Sequence, residues 1–218
     1  MISGTFFLRS VWRCAMPVAA LLFCSASARA GSLVVTAADK AGAAMANVVI
    51  YATPIGGTQL PAAAPESATI AQQGMQFVPY VSAVRVGTSI KFPNYDKMEH
   101  HVKSFSPAKE FEYKIYEKGT PPPVVFDKPG VVIIYCMLHE WMRTYVMVLD
   151  TPYSGKTPET GIATIDGLPD GSYEVRAWHP DMGTIKQPLL QTVKVSGSDA
   201  QHLAFNFDFT PRKRKKAR

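Results

Sequence analysis

The chain has 218 residues, 47% hydrophobic and 18% charged, with 17 prolines and 15 glycines. That balance suits one large or two small packed domains rich in turns, and argues against a helical bundle or a disordered chain. The net charge of +6 is segmented: residues 1–30 hold three arginines and residues 212–218 six basic groups, so of 23 basic residues 14 lie in between, against 17 acidic ones. The high isoelectric point thus belongs to the ends, and with no groove-reading or base-stacking motif nucleic acid is not an expected partner.

Arg9 and Arg13 precede an apolar run, Ala15 to Cys24, and Ser25–Ala30 ends in an A-x-A pattern. This predicts a secretory signal peptide over 1–30, cleaved after Ala30, and a periplasmic mature protein. The run is about half of the roughly 20 residues a spanning helix needs, so no stable membrane insertion is expected after cleavage. A lipid anchor at Cys24 is disfavoured by the bulky Leu21, Leu22 and Phe23 before it. Of three cysteines, Cys14 and Cys24 leave with the signal and Cys136 remains alone. In an oxidising compartment a lone cysteine is a buried thiol, an intermolecular bridge or a metal ligand.

After the signal, Ser32–Ala37 and Ala46–Tyr51 read as two strands around the turn Asp39–Gly42. Residues 55–66, rich in Pro, Ala and Gly, read as a linker. From Ala68 to Asp150 strand signals come in quick succession: Ala83–Val86, Ser89–Phe92, His100–Val102, Phe111–Tyr116, Val124–Phe126, Val131–Cys136 and Thr144–Asp150. Loops at Pro93–Asp96, Pro121–Pro123 and Asp127–Gly130 separate them. Further strands are predicted at Ile162–Ile165, Tyr173–Trp178, Leu190–Val195 and Leu203–Phe209, with no helix longer than a turn or two. The pattern predicts an all-β protein built of sandwiches or barrels, ending in a disordered basic tail over 211–218.

The chemistry concentrates in Cys136-Met137-Leu138-His139-Glu140-Trp141-Met142, directly after a hydrophobic strand. A thiolate, an imidazole and a thioether at three-residue spacing can fold back on one ion. Strand alternation turns His100 and Val102 inward and His101 and Lys103 outward, so His100 is the better fourth ligand. His101 replaces it if the strand bulges. Two imidazoles, a thiolate and a distant thioether form a blue-copper set, whereas zinc favours a further thiolate or hard ligand over Met. Four protein ligands leave no open position for a substrate, which points to electron transfer rather than to an enzyme. Met137, Leu138 and Trp141 around His139 make either a docking patch or a shield for the site.

Gly87-Thr88-Ser89-Ile90-Lys91-Phe92, His100-His101-Val102 and Asp127-Lys128-Pro129-Gly130 before Tyr135-Cys136 resemble the cupredoxin family, amicyanin and plastocyanin in particular. The stretch from His100 to Pro107 and the Cys136–Met142 loop are also similar to methylamine-utilization proteins. The resemblance covers roughly residues 67–152 and implies a Greek-key β-sandwich. It further implies one type 1 copper ion at His100, Cys136, His139 and Met142, and electron exchange with a cytochrome or a periplasmic oxidoreductase. The family usually has Asn after the first ligand His, tying the two ligand loops; His101 stands there. Gly161 to Val175, and the hairpin Val34 to Tyr51, resemble the carboxypeptidase regulatory-like (transthyretin-type) sandwich. Residues 31–54 and 156–210 are therefore expected to form one small sandwich with the cupredoxin module inserted in it. Trp178-His179-Pro180 is read as an interdomain contact rather than a metal site, and His202 as a surface residue. Competing functions are copper trafficking or storage, and a non-redox binding module.

Overall fold

The computed structural model describes Met1 and residues 30–56, 60–62, 64 and 66–214; residues 2–29 of the expected signal peptide lie outside the described residues, as do parts of the expected linker. The chain is all-β. Strands β1 (Ala30–Ala38) and β2 (Val49–Ile55) are followed by β3 (Ser67–Thr69), β4 (Ala71–Gln72), β5 (Phe77–Val78), β6 (Val81–Arg85) and β7 (Thr88–Lys91). Next come β8 (His100–Ser106), β9 (Lys109–Tyr116), β10 (Val124–Phe126), β11 (Gly130–Cys136) and β12 (Arg143–Leu149). The chain continues through β13 (Ser154–Lys156), β14 (Ile162–Pro169), β15 (Gly171–Trp178), β16 (Leu189–Val195) and β17 (Ala200–Asn206). A single 3-10 turn, Pro180–Met182, is the only helical element among the described residues.

Strand β12 lacks the apolar–polar alternation of a half-exposed strand, and every residue from Thr144 to Leu149 is buried. Such a run is the signature of a strand covered on both faces. It sits between β6, parallel to it, and β11, antiparallel to it, in a five-stranded sheet of order β6-β12-β11-β8-β9. Val146 and Val148 belong to one core with Val132, Ile134 and Cys136 of β11 and Ile90, Phe92 and Phe126 from around the facing sheet β10-β7-β3. Tyr145, Met147 and Leu149 enter a second core with Ile50, Val175 and Trp178.

That second core is built by β14-β1-β17 and β13-β2-β15-β16. β1 pairs with β14 and with β17, and β2 with β13 and β15, so these two strands lie in different sheets rather than in one hairpin, and each finds its partners more than a hundred residues later. β2 begins three residues after its expected start, because Asn47 takes a positive φ of 62° and ends the preceding turn. It then runs through Pro54. Beyond Ala52 only β15 flanks it, so the missing proline N–H removes no ladder bond. Gly161 opens β14 at φ +72°, where a Cβ would stand 2.8 Å from the Ala37 carbonyl oxygen.

Trp178, 1% exposed, places its ring 6.0 Å from that of Tyr145 on the shared strand and donates its indole N–H to the Gly183 carbonyl at 2.9 Å. The ring thus packs against the five-stranded sheet. Residues 211–214 of the expected tail meet the body of the protein. The Arg212 N–H donates to Asp181 Oδ2 at 2.7 Å, and the Arg214 guanidinium lies 4.0 Å over the Tyr80 ring while donating to Gln76. Residues 215–218 lie outside the described residues.

Trp178→Ala is expected to destabilise the protein by about 4 kcal/mol, the usual cost of emptying a large core site. Urea unfolding followed by circular dichroism checks this; a loss below about 1 kcal/mol would show that the seam against Tyr145 holds little.

Candidate metal centre

β11 and β8 are antiparallel neighbours with Cys136 opposite Val102, which brings His100, the first residue of β8, beside the last residue of β11. The β-branched run Val131–Ile134 holds β11 extended up to the cysteine. Six residues then close the loop to β12. The Met142 N–H donates to the His139 carbonyl at 2.9 Å, and the Cys136 N–H donates to the Met142 carbonyl at 3.0 Å. This tight return places His139 over Cys136.

His100, Cys136 and His139 converge, with their ligand atoms all within 4.8 Å of one another. His100 Nδ1 lies 3.6 Å and His139 Nδ1 3.5 Å from Cys136 Sγ. Metal–sulfur and metal–nitrogen bonds of about 2.3 and 2.0 Å, at tetrahedral to trigonal angles, separate S and N by about 3.5–3.7 Å, so the three donors fit one transition-metal ion. His100 is fully buried, Cys136 nearly so, and His139 half-buried. Met142 is 1% exposed and shares a core cluster with Cys136.

β8 meets β9 with a bulge at this point. His100 pairs with Tyr116 and Val102 with Tyr113, so three residue steps of β9 span two of β8. The extra residue is on β9, and the alternation of β8 is undisturbed. His100 therefore faces inward, while the His101 ring turns to Glu112 on β9, Nε2 to Oε1 2.7 Å. His202 is exposed on β17. The buried His179 caps the 3-10 turn, its Nδ1 accepting from the Asp181 N–H at 3.1 Å.

The far side of His100 is held by a group that the sequence reading did not single out. Its Nε2 lies 2.9 Å from Asp96 Oδ2. That carboxylate also accepts the Gly74 N–H at 2.7 Å and the Met75 N–H at 3.0 Å. Burial works to raise the Asp96 carboxyl, but the bonds from His100, Met75 and Gly74 outweigh it and hold it below the usual range. Asn94 fixes the loop that carries Asp96. Its side-chain NH2 donates to the Met98 and Glu117 carbonyls at 2.8 and 2.6 Å, and its Oδ1 accepts the Asp96 N–H at 2.9 Å. Burial also works against the Cys136 thiolate, yet His100, the N–H groups of His101 and Leu138, and His139 together push the thiol down to about 6. A thiolate is thus available at neutral pH.

The two ligand loops are tied by backbone: the Met137 N–H donates to the His101 carbonyl at 2.8 Å. Trp141 lies beside His139, ring centroids 5.4 Å apart, and its indole N–H donates to the Met75 carbonyl at 3.1 Å. The segment Gly74–Met75 therefore braces Asp96 behind one histidine and Trp141 beside the other.

No family model matches the chain, and no curated protein does. Solved structures do match. A Cu(I) point mutant of amicyanin is 21% identical and covers 38% of this chain and 82% of its own, with a TM-score of 0.35. A purple cupredoxin from Nitrosopumilus maritimus is 24% identical over 38% of this chain and 99% of its own, with a TM-score of 0.34. A copper-containing nitrite reductase from Thermus scotoductus is 22% identical over 44% of this chain and 25% of its own, with a TM-score of 0.35. The amicyanin and cupredoxin structures are of the family that the sequence motifs resemble.

Asp96→Ala removes the partner that orients His100 and is expected to weaken metal binding about 10- to 100-fold. Competition against a chelator measures it, and an unchanged affinity would leave Asp96 no part in the centre.

Proposed function

We propose that this chain is a periplasmic carrier of single electrons that holds one type 1 copper ion at His100, Cys136, His139 and Met142. The observation that carries the reading is the approach of both Nδ1 atoms to the Cys136 sulfur, at 3.6 and 3.5 Å, with Met142 buried in the same core cluster as Cys136. Two imidazoles, one thiolate and a thioether are soft enough for Cu(I) and strong enough for Cu(II). Copper bound there would supply a one-electron couple.

The residues keep the centre stiff. Asp96 fixes the His100 ring from behind, and the N–H groups of His101 and Leu138 take part of the thiolate charge. Met142 is pinned through both its N–H and its carbonyl. A frame so over-determined changes little when its charge changes, which favours rapid electron exchange. With all four ligands drawn from the chain, the reading is electron carriage rather than catalysis on a substrate.

His139 is the half-buried ligand, and beside it Met137 and Leu138 are 49% and 46% exposed. We assign this apolar rim to docking of the redox partner, a cytochrome or a periplasmic oxidoreductase. The division into a cupredoxin module over 67–152 and a regulatory-like sandwich from 31–54 and 156–210 belongs to the same proposal, supported by the pairing of β1 with β14 and β17 and of β2 with β13 and β15. Export by the signal over 1–30 completes it. Among the described residues no helix is long and apolar enough to cross a membrane.

Copper-loaded protein is expected to show an intense thiolate-to-copper visible band that bleaches with one electron per chain, and Cys136→Ser to lose it. Colourless, readily chelated Cu(I) would instead favour trafficking or storage, and absence of copper uptake would favour a non-redox binding module.

Leu138→Glu is expected to slow electron exchange with a c-type cytochrome about tenfold, with the visible band unchanged. Stopped-flow mixing reads both, and an unaltered rate would move the docking surface elsewhere.

A further inference from the structure

Behind the metal centre, the outward face of β11 and β12 does not close fully on the second core. It leaves a groove of about 440 Å³ between the five-stranded sheet, the 3-10 turn and residues 212–214. Its walls include Tyr80, Tyr135, Trp141 and Tyr145. Tyr80 and Tyr145 meet edge to face at 5.4 Å. Burial, reinforced by Tyr145, pushes the Tyr80 phenol upward, so this wall is neutral and its hydroxyl a donor.

The rim is cationic: Arg143, Arg212, Lys213 and Arg214 line the groove. Asp181 is the single carboxylate among the described lining residues, and it already accepts the Arg212 N–H at 2.7 Å. Arg214 is engaged by the Tyr80 ring and by Gln76. The Arg212 side chain also faces Asp181, Nε to Oδ1 4.0 Å, so Arg143, Lys213 and Arg214 carry the groove's net charge, and among the described residues Arg143 and Lys213 make no ion pair. They stand in a body that is otherwise acidic, beside a concavity walled with rings.

We propose that this groove binds a small aromatic anion of the ring-carboxylate class, its ring against Tyr135 and Trp141 and its carboxylate on Arg143 and Lys213. The volume lies within the 300–1,000 Å³ typical of small-molecule sites and suits a single ring system better than a protein segment. Aromatic walls favour a flat ring, and paired cations favour a carboxylate over a neutral polar group. Trp141 also touches His139, so the bound ring sits one side chain from the metal centre, although the site does not depend on the metal.

Calorimetric titration of the metal-free full chain with 4-hydroxybenzoate tests the proposal independently of copper. Saturable binding at one per chain is expected, about tenfold or more tighter than 4-hydroxybenzyl alcohol, which lacks the charge, and than acetate, which lacks the ring. The double variant Arg143→Gln/Lys213→Gln, both at the surface, is expected to lose about tenfold or more. Absence of saturable binding at millimolar ligand would overturn the proposal. So would equal binding of the alcohol or of acetate, or an unchanged affinity in the double variant. Tighter binding of a poly-glutamate peptide would overturn it in favour of an acidic protein partner.

Discussion

Cys136 lies opposite Val102 across the β8–β11 ladder, and the site depends on that register. His100 stands at one strand end and Cys136 at the neighbouring one, on the same inward face. A slip of one residue would turn the thiol or the imidazole to the other side of the sheet. The register is secured by burial rather than by the site: Val102, Ile134 and Val132 are fully buried on the face that ends in Cys136. Hydrophobic packing thus delivers two of the ligand side chains to within 3.6 Å before any metal contributes.

The same economy extends to β12. Its Val146–Val148 face closes the core beneath the metal centre, and its Tyr145–Met147–Leu149 face closes the neighbouring one. One strand therefore links the position of the Cys136–Met142 loop, which leads into it, to the packing of Trp178 far along the chain. The price of that sharing is an imperfect fit at the rim, where the sheet faces part around Tyr135 and Trp141 and leave the groove.

Much of this was legible in the sequence because it follows from strand periodicity. Alternation in His100–Lys103 gives the inward histidine, and the run Thr144–Asp150 gives a strand, though not that both of its faces are covered. The lone mature cysteine directs attention to one loop. The supports of the site were not legible. Asp96 lies four residues before His100 in a loop whose path is set by Asn94 and by contact with Gly74–Met75, neither of which has a period to read. The anchoring of Arg212 and Arg214 was hidden for a related reason: a basic run is polar in any pattern, and only the distant Asp181 and Tyr80 give it a place.

The two ligand loops are linked without any side chain. A link between the two ligand loops needs a donor on one and an acceptor on the other, and the backbone supplies both through the Met137 N–H and the His101 carbonyl. The His101 side chain is then released to the surface, where it meets Glu112. A tie through backbone constrains the loops at their Cα positions and leaves no side-chain rotamer to order. The His101 peptide N–H also helps to lower the Cys136 thiol. The position after the first histidine thus serves the thiolate through its peptide group, which any residue other than proline provides, and its identity is free to change while the centre is kept.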